Sequence, residues 1–199
     1  MKKGMLFIMT LMLVFVFILS GNTVTKKDTS WEEILKKGEF VLGLDDSFPP
    51  MGFRDDKGEI VGFDIDVAKA LCQRLQINLK LQPINWDAKE QELNTKNIDC
   101  IWNGLTITPD RQKNLLFSKP YMNNRQVLVV RADSGLTSLA ALAGKRLGLQ
   151  AGSSAKDALN KATTLKASLA EVIEFDENMT ALMDLEMGGL DAVLMDEIV

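Results

Sequence analysis

One arginine lies where the sequence predicts the beginning of a helix. Residues 98–111 read as a strand, a turn and then a helix with Thr108 as its N-cap and Pro109 as its first residue. Arg111 falls in the first helical turn, where the positive end of the helix dipole disfavours a cation. A guanidinium beside free backbone N–H groups can bind a carboxylate or a phosphate. On this segment alone, a solvated surface arginine is an equally good interpretation.

A second turn with free N–H groups occurs at residues 148–155, again between a predicted strand and a predicted helix. Gly152 permits unusual backbone angles, and the N–H groups of Ser153 and Ser154 remain unpaired at the helix start. The segment is not a P-loop, because no Gly-Lys-Ser/Thr sequence closes it. Taken alone, it is better interpreted as an ordinary turn.

Acidic residues follow two of the predicted strands. Asp196 lies at the carboxyl end of an apolar run, where it can pair with an ammonium group or cap a following helix. Asp45 and Asp46 leave the first strand with Phe48 close behind, and solvated turn residues are the alternative interpretation. A glycosidase pair is disfavoured, because adjacent acids on one turn rarely flank a bond from opposite faces.

The absence of histidine limits the catalytic chemistry of the chain. Its 199 residues contain none, which excludes Ser-His-Asp and Cys-His nucleophile systems, the HExxH zinc site and a histidine general base. A hydrophobic content of 46% and a charged content of 25% suffice for one sizeable domain or two small lobes. Cys72 and Cys100 lie in apolar segments, and two free thiols or one disulfide are both compatible with the sequence.

The first 22 residues are typical of a secretory signal peptide. Two lysines precede an apolar run over residues 5–19. At 15 residues this run is shorter than the ~20 that span a bilayer, so a signal is favoured over an anchor. Without residues 1–22, 21 of the 23 basic residues remain against 27 acidic ones, a net charge of −6. We therefore expect no binding of nucleic acid.

Downstream of this segment, apolar runs of strand length alternate with helical patterns. Strands are predicted at residues 40–44, 79–83, 98–102, 126–130, 146–149, 172–175 and 192–195. Helices are predicted at residues 64–75, 87–94, 109–115, 138–143, 154–161 and 178–187. This alternation predicts an α/β fold with mostly parallel sheets, in which ligands bind at the carboxyl ends of the strands.

Turn-forming residues interrupt the alternation at residues 118–125 and indicate a boundary between two lobes. The predicted organisation is a signal peptide (1–22), a polar segment with a short helix (23–37), a first lobe (38–120), a first hinge (121–125) and a second lobe (126–199).

Four motifs together resemble the family 3 solute-binding proteins, the polar amino acid receptors of bacterial ABC importers. In chain order they are Asp45-x-x-Phe48-x-Pro50, residues 62–70, residues 104–111 followed by 117–121, and residues 191–196. The resemblance covers roughly residues 40–199. Within the second motif, Asp64 can cap a helix with one apolar face, so this motif is interpreted as structural.

This resemblance implies an α-amino acid held in a cleft between the lobes. Arg111 would bind the α-carboxylate, helped by the backbone of Thr106 and Ser154. The α-ammonium would meet Asp196, the carbonyl of Gly104 and the hydroxyl of Thr106. The remaining contacts would surround the ligand side chain, with Phe48 and Trp86 at its flanks and Asp45 and Gln150 near its tip.

The resemblance also implies a two-lobed, periplasmic-binding-protein-like (type II) fold that closes around its ligand. A ligand that contacts both lobes favours the closed state, which an ABC transporter permease in the membrane then recognises. We expect a monomer in the periplasm or at the outer face of the cytoplasmic membrane, with no cofactor, no metal and no enzymatic activity.

Two alternatives to a transport receptor remain open. Relatives of this fold include cyclohexadienyl dehydratases, in which a cleft carboxylate acts on a ring substrate, and that reaction does not need histidine. In the other alternative, the chain is the sensor domain of a membrane receptor that keeps its apolar N-terminus as an anchor.

The chain departs from the family three residues after Asp196, where members of the family continue. Their further residues complete the second lobe and return through a second hinge strand to the first. We therefore expect a fold that is incomplete at the C-terminus and, if the chain is whole, weak or absent binding with exposed apolar surface. Asp45 and Gln150 favour a ligand with a polar side chain, including a cationic one.

Overall fold

The computed structural model describes residues 28–199, which divide into two compact units. Of the first unit, which ends at Glu33, the structure describes residues 28–33. The second unit is Ile34–Val199. A short helix, α1 (Ser30–Lys37), lies where the sequence predicts one. The predicted signal peptide, residues 1–22, lies outside the described residues. No helix of the described part is long and apolar enough to cross a membrane.

The first sheet of the larger unit is parallel and has the order β5-β1-β6. Its strands are β1 (Glu39–Leu44), β5 (Asn78–Pro83) and β6 (Cys100–Ile101). Leu42 and Leu44 of β1 are fully buried and pack against Ile65 and Ala68 of helix α2 (Phe63–Leu75). This sheet is the core of the first predicted lobe, and every strand in it ends toward the same edge.

Helix α2 begins at a close approach between two backbone segments. An added Cβ on Gly62, at φ +132°, would lie 2.5 Å from the carbonyl oxygen of Met51. The helix's first free N–H groups, those of Phe63 and Asp64, donate to the carbonyls of Pro50 and Met51. The prediction that Asp64 caps this helix is therefore wrong, because the backbone of a neighbouring segment already accepts these N–H groups.

A small antiparallel ribbon with the order β2-β3-β4 leads from β1 into α2. Its strands are β2 (Ser47–Phe48), β3 (Gly52–Arg54) and β4 (Ile60–Val61). Strands of two or three residues are too short to show an alternating pattern, so the sequence does not predict this ribbon.

The second sheet has the order β7-β10-β8-β9, with β7 antiparallel to β10 and the other pairs parallel. Its strands are β7 (Gln126–Val129), β8 (Arg146–Gln150), β9 (Glu171–Phe175) and β10 (Ala192–Asp196). Every residue of β10 is buried. Ala192 and Leu194 pack on one side of the sheet, and Val193 and Met195 pack on the other. A strand covered on both faces explains the uninterrupted apolar run in the sequence.

Helices cover both faces of the second sheet. Helix α4 (Ser154–Lys161) packs on the Leu147 and Leu149 side, and helix α6 (Asn178–Met187) packs on the opposite side. A further helix, α5 (Thr163–Ser168), lies between α4 and β9 along the chain and was not predicted. The fold is thus the expected α/β architecture with mostly parallel sheets.

Three predicted helices differ from the structure. Residues 87–94 form a 3₁₀ turn, Trp86–Ala88, followed by helix α3 (Lys89–Asn94). The helix predicted at 138–143 is a 3₁₀ turn, Leu139–Leu142. Residues 109–115 contain only the 3₁₀ turn Arg111–Lys113. The first turn of a helix fixes several backbone dihedral angles for one hydrogen bond, which costs conformational entropy. Short segments therefore seldom extend into regular α-helices.

Candidate ligand-binding site

The predicted site residues lie at the carboxyl ends of both sheets. Asp45, Trp86 and Gly104 follow β1, β5 and β6 of the first sheet. Gln150 is the last residue of β8, and Asp196 is the last residue of β10. Hydrogen bonds join the two edges, so the strand ends face one another. This is the location where open parallel sheets bind ligands.

Arg111 is buried, and its guanidinium donates to backbone carbonyls in the loops that follow β6 of the first sheet and β8 of the second. Its Nη1 donates to the carbonyl of Thr106 at 2.9 Å, and its Nη2 donates to the carbonyl of Gly152 at 3.1 Å. Burial lowers the pKa of the guanidinium from its ordinary value. No ion pair of Arg111 occurs within residues 28–199. The predicted helix N-terminus is absent here, and the guanidinium is a buried cation whose hydrogen-bond acceptors within residues 28–199 are backbone carbonyls.

Lys89, the first residue of α3, is a second buried cation beside Arg111. Its Nζ donates to the carbonyls of Trp86 at 3.0 Å and Gly152 at 2.8 Å, and lies 5.1 Å from the centre of the Trp86 ring. Burial, and next the positive charge of Arg111, lower the pKa of Lys89 to about 8. Two cations therefore share one carbonyl oxygen, that of Gly152.

Gly152 has the backbone conformation that this sharing requires. Its φ is +65°, and an added Cβ would lie 2.8 Å from Cα of Asp87 and 3.2 Å from Nζ of Lys89. Glycine is thus the one residue type that allows this approach without a shift of either segment.

Asp196 is buried among neutral donors. Its Oδ1 accepts hydrogen bonds from the side-chain amides of Asn124 and of Gln126, the latter at 2.5 Å, and lies 3.5 Å from Oγ of Ser154. The hydroxyl of Ser154 also lies 3.2 Å from that of Thr106. The amide oxygens of Asn124 and Gln126 are buried and accept no hydrogen bond. Two acceptors therefore remain unused beside the carboxylate.

Asp45 is a second buried carboxylate, held by Ser47 and Gln150. Its Oδ2 accepts from Nε2 of Gln150 at 2.6 Å, and its Oδ1 accepts from the backbone N–H and the hydroxyl of Ser47. Oε1 of Gln150 in turn accepts from Asn178 at 3.0 Å. The N–H of Asp45 donates to Oδ1 of Asn103 at 2.8 Å. All of these donors are neutral, so the charge of Asp45 is solvated by dipoles and not by a cation.

Asp64 supports the turn that contains Gly104. Its Oδ2 accepts from the Gly104 N–H at 2.7 Å, and its Oδ1 accepts from Nε1 of Trp102 at 3.2 Å and the hydroxyl of Tyr121 at 2.9 Å. Burial raises the pKa of Asp64, although these hydrogen bonds oppose that effect. Burial, and then the charge of Asp64, raise the pKa of Tyr121. Gly104 adopts φ +62°, where a Cβ would lie 3.6 Å from Phe48.

The structure brings all of the predicted site residues to the region where the two sheets meet. Phe48 packs beside Gly104, and Trp86 packs beneath the ammonium of Lys89. The sequence did not single out Lys89, Asn124 or Gln126. Asn124 and Gln126 lie at the predicted boundary, which was a weak signal, but Lys89 lies in a polar stretch that gives none.

Other features of the described residues are less suited to a charged ligand. A mainly apolar cavity of about 590 Å³ lies along the first sheet, lined in part by Phe40, Leu71 and Ile101, and it extends to Gly104 and Thr106 of the candidate site. Cys72 and Cys100 are both free thiols, and burial, aided by Asp99, raises the pKa of Cys100 to about 11. In the described part, no three His, Cys, Asp or Glu side chains are grouped to hold a metal ion.

Comparison with known proteins identifies the family to which this chain belongs. The sequence model for bacterial extracellular solute-binding proteins, family 3, matches residues 40–193. The chain belongs to this family, and its architecture is the two-lobed type II fold of periplasmic amino acid-binding proteins.

Two similar proteins are amino acid-binding proteins. The chain is 30% identical over 168 residues to the L-cystine-binding protein TcyJ of Escherichia coli, and the match covers 83% of this chain and 62% of that protein. It is 31% identical over 158 residues to an L-arginine-binding protein of Pseudomonas aeruginosa, covering 79% and 60%. The chain thus spans about three fifths of the length of these relatives.

A solved structure has the same fold. It is an ABC uptake transporter substrate-binding protein from Streptococcus pneumoniae with bound histidine, with a TM-score of 0.83 and 38% identity. The match covers 87% of this chain and 72% of that one.

Proposed function

We propose that the chain binds an α-amino acid between two lobes, residues 38–120 and 126–199, and presents it to an ABC permease. One observation carries the proposal. Arg111 and Asp196 are buried opposite charges from different lobes, and within the described residues neither has an ionic partner. The carbonyl of Thr106 meets Arg111, and its hydroxyl meets Ser154 beside Asp196. A zwitterion would span this row.

The carboxylate of the amino acid would displace carbonyl oxygens from Arg111. A carboxylate carries a negative charge and can accept two parallel hydrogen bonds from the guanidinium, whereas each carbonyl oxygen is neutral and accepts one. The exchange therefore supplies free energy that the carbonyls of Thr106 and Gly152 do not.

The ammonium group of the amino acid would bind beside Asp196. An ammonium has three N–H donors and no acceptor. Asp196 supplies an anionic oxygen, and the unused amide oxygens of Asn124 and Gln126 supply two more acceptors. These three residues match the three donors of one primary ammonium.

Closure follows from the position of these groups on two lobes joined by a hinge at residues 121–125. The bonds from Arg111 to Gly152 and from Gln150 to Asp45 already cross between the proposed lobes. A ligand that adds contacts to both sides favours the closed state by the free energy of those contacts. The closed surface is what a permease would recognise.

Titration of the purified protein with the twenty amino acids tests this proposal, using calorimetry and ligand-observed NMR at millimolar concentrations. At least one amino acid binds saturably, and Arg111→Met lowers its affinity about 30-fold or more, because truncating a buried charge partner costs at least about 2 kcal/mol. Arg74→Met is the matched control, since Arg74 is exposed on α2. Absence of binding, or an equal effect of the two substitutions, contradicts the proposal.

We also propose that the protein binds its ligand without turnover and acts outside the cytoplasmic membrane as a monomer. Incubation with prephenate and arogenate leaves both unchanged, and conversion of either would favour a dehydratase. N-terminal sequencing of the exported protein shows whether residues 1–22 remain as an anchor, as a membrane sensor would require. Sedimentation analysis measures the oligomeric state.

A further inference from the structure

One backbone carbonyl of the second proposed lobe, that of Gly152, receives two cationic donors from the first. Nζ of Lys89 lies 2.8 Å from this oxygen, and Nη2 of Arg111 lies 3.1 Å from it. Both side chains are buried. A carbonyl oxygen has two lone pairs, so the two hydrogen bonds use its whole capacity as an acceptor.

The shared oxygen brings two positive charges together. Burial, and then the charge of Arg111, lower the pKa of Lys89 to about 8. Three acids raise it in part, namely Glu90, Asp87 and Asp157. Because the two cations repel each other, an anion that pairs with one of them relieves the repulsion.

The proposed function takes one of the two donors away from this carbonyl. Arg111 would exchange its bonds to the carbonyls of Thr106 and Gly152 for bonds to the ligand carboxylate. The Gly152 carbonyl then still has a donor in Lys89. Nζ of Lys89 is also bonded to the carbonyl of Trp86 at 3.0 Å and lies 5.1 Å from the centre of that ring. Lys89 is therefore the cation that can remain in place.

A donor is needed at Gly152 because two backbone segments meet there. An added Cβ on Gly152 would lie 2.8 Å from Cα of Asp87, and Gly152 itself is partly buried. Without either donor, its carbonyl would be an unpaired acceptor at this contact, which is costly. The contribution of Lys89 is thus larger in the liganded arrangement than in the ligand-free one, where Arg111 also donates.

We propose that Lys89 is a positioning residue, which keeps the carbonyl of Gly152 bound across the cleft while Arg111 binds the ligand carboxylate. Lys89 acts through Gly152 and needs no contact with the ligand. The inference rests on the proposed function, because an amino acid must first draw Arg111 away from Gly152.

Two measurements on Lys89→Met test this role. Calorimetric titration uses whichever of the twenty amino acids binds the wild-type protein most tightly. We expect its affinity to fall about tenfold in Lys89→Met, because the Gly152 carbonyl has no donor in the complex. Urea unfolding of the ligand-free proteins at neutral pH gives the second comparison. Here the free energy of unfolding does not fall, because Arg111 still donates to Gly152 and a buried charge has been removed.

Two further variants serve as controls. Lys89→Arg keeps the positive charge and the N–H donors, so its affinity should stay within about threefold of the wild-type value. Lys57→Met makes the same chemical change at an exposed position of the first lobe and should alter neither affinity nor stability.

The possible outcomes separate this inference from the proposed function. A merely structural role of Lys89 would lower affinity and stability together, and that result, including failure of Lys89→Met to fold, overturns the inference but leaves amino acid binding intact. Unchanged or higher affinity in Lys89→Met also overturns it, as does an equal loss in Lys89→Arg. If no amino acid binds the wild-type protein, the proposed function itself fails.

Discussion

The carboxylate of Asp64 ties three segments of the first lobe together, and Asp64→Asn tests its contribution to stability. The carboxylate accepts hydrogen bonds from the Gly104 N–H, from Trp102 and from Tyr121. Asparagine has the same shape, but one of its two terminal groups is a donor. The substitution therefore changes hydrogen bonding without leaving a cavity.

The magnitude follows from the pairing that asparagine can still make. Its oxygen can keep Trp102 and Tyr121, which share one carboxylate oxygen at 3.2 and 2.9 Å. Its NH₂ group then faces the Gly104 N–H, which loses a charge-assisted bond of 2.7 Å. A buried donor without an acceptor costs about 1–3 kcal/mol. Removing the buried charge offsets part of this cost, because burial raises the pKa of Asp64. We expect a loss of about 2 kcal/mol.

Urea unfolding followed by circular dichroism at neutral pH measures this loss. Asp66→Asn is the matched control, because Asp66 lies two residues further along α2 and is exposed. Exposed substitutions of this kind change stability by about 0.5 kcal/mol or less. If Asp64→Asn and Asp66→Asn have the same free energy of unfolding, Asp64 does not support the Gly104 turn as argued.

Two other predictions concern Lys89 and Gly152. The folded-state pKa of Lys89, about 8, is below its ordinary value of 10.5, so the unfolded chain binds more protons between these values and wild-type stability rises with pH there. Lys89→Met has no titrating group at this position, so the free energy of unfolding of the wild-type protein should rise relative to that of Lys89→Met between neutral and alkaline pH. A difference in unfolding free energy between the two proteins that is independent of pH would contradict this prediction. Gly152→Ala lowers amino acid affinity about tenfold, because the added methyl group collides with Asp87 across the cleft. Gly135→Ala, at φ +69° with open space around it, is the control in the same calorimetric titration, and equal affinities of the two variants would refute the collision.

Sequence patterns were most informative where burial is continuous. Strand β10 and helix α6 were predicted within one residue of their ends, because a strand buried on both faces and a well-formed helix leave clear patterns. The antiparallel ribbon was missed, and the 3₁₀ turn at Arg111 was predicted as a longer helix. Their form depends on contacts with other segments, such as the donation of the Phe63 and Asp64 N–H groups to Pro50 and Met51.

The candidate site was predictable to the extent that resemblance to a family supplied its residues. Arg111 and Asp196 stood out by type and position, and the structure places them in one row with Thr106 and Ser154. Lys89 did not stand out, because a lysine in a polar stretch is usually exposed. Its burial depends on Gly152, which is 63 positions away.

The sequence by itself determined the order along the chain of the strands in the first and second sheets and of helices α2, α4 and α6, and the kinds of charge available for binding. The reason is that hydrophobic period and side-chain chemistry are local properties. Only the tertiary structure decided which charges are buried without an ionic partner and which carbonyl Lys89 and Arg111 share. Asp45 meets Gln150 across 105 positions, and Asp64 meets Gly104 across 40. Such pairings depend on how separate segments pack, and no local pattern records them.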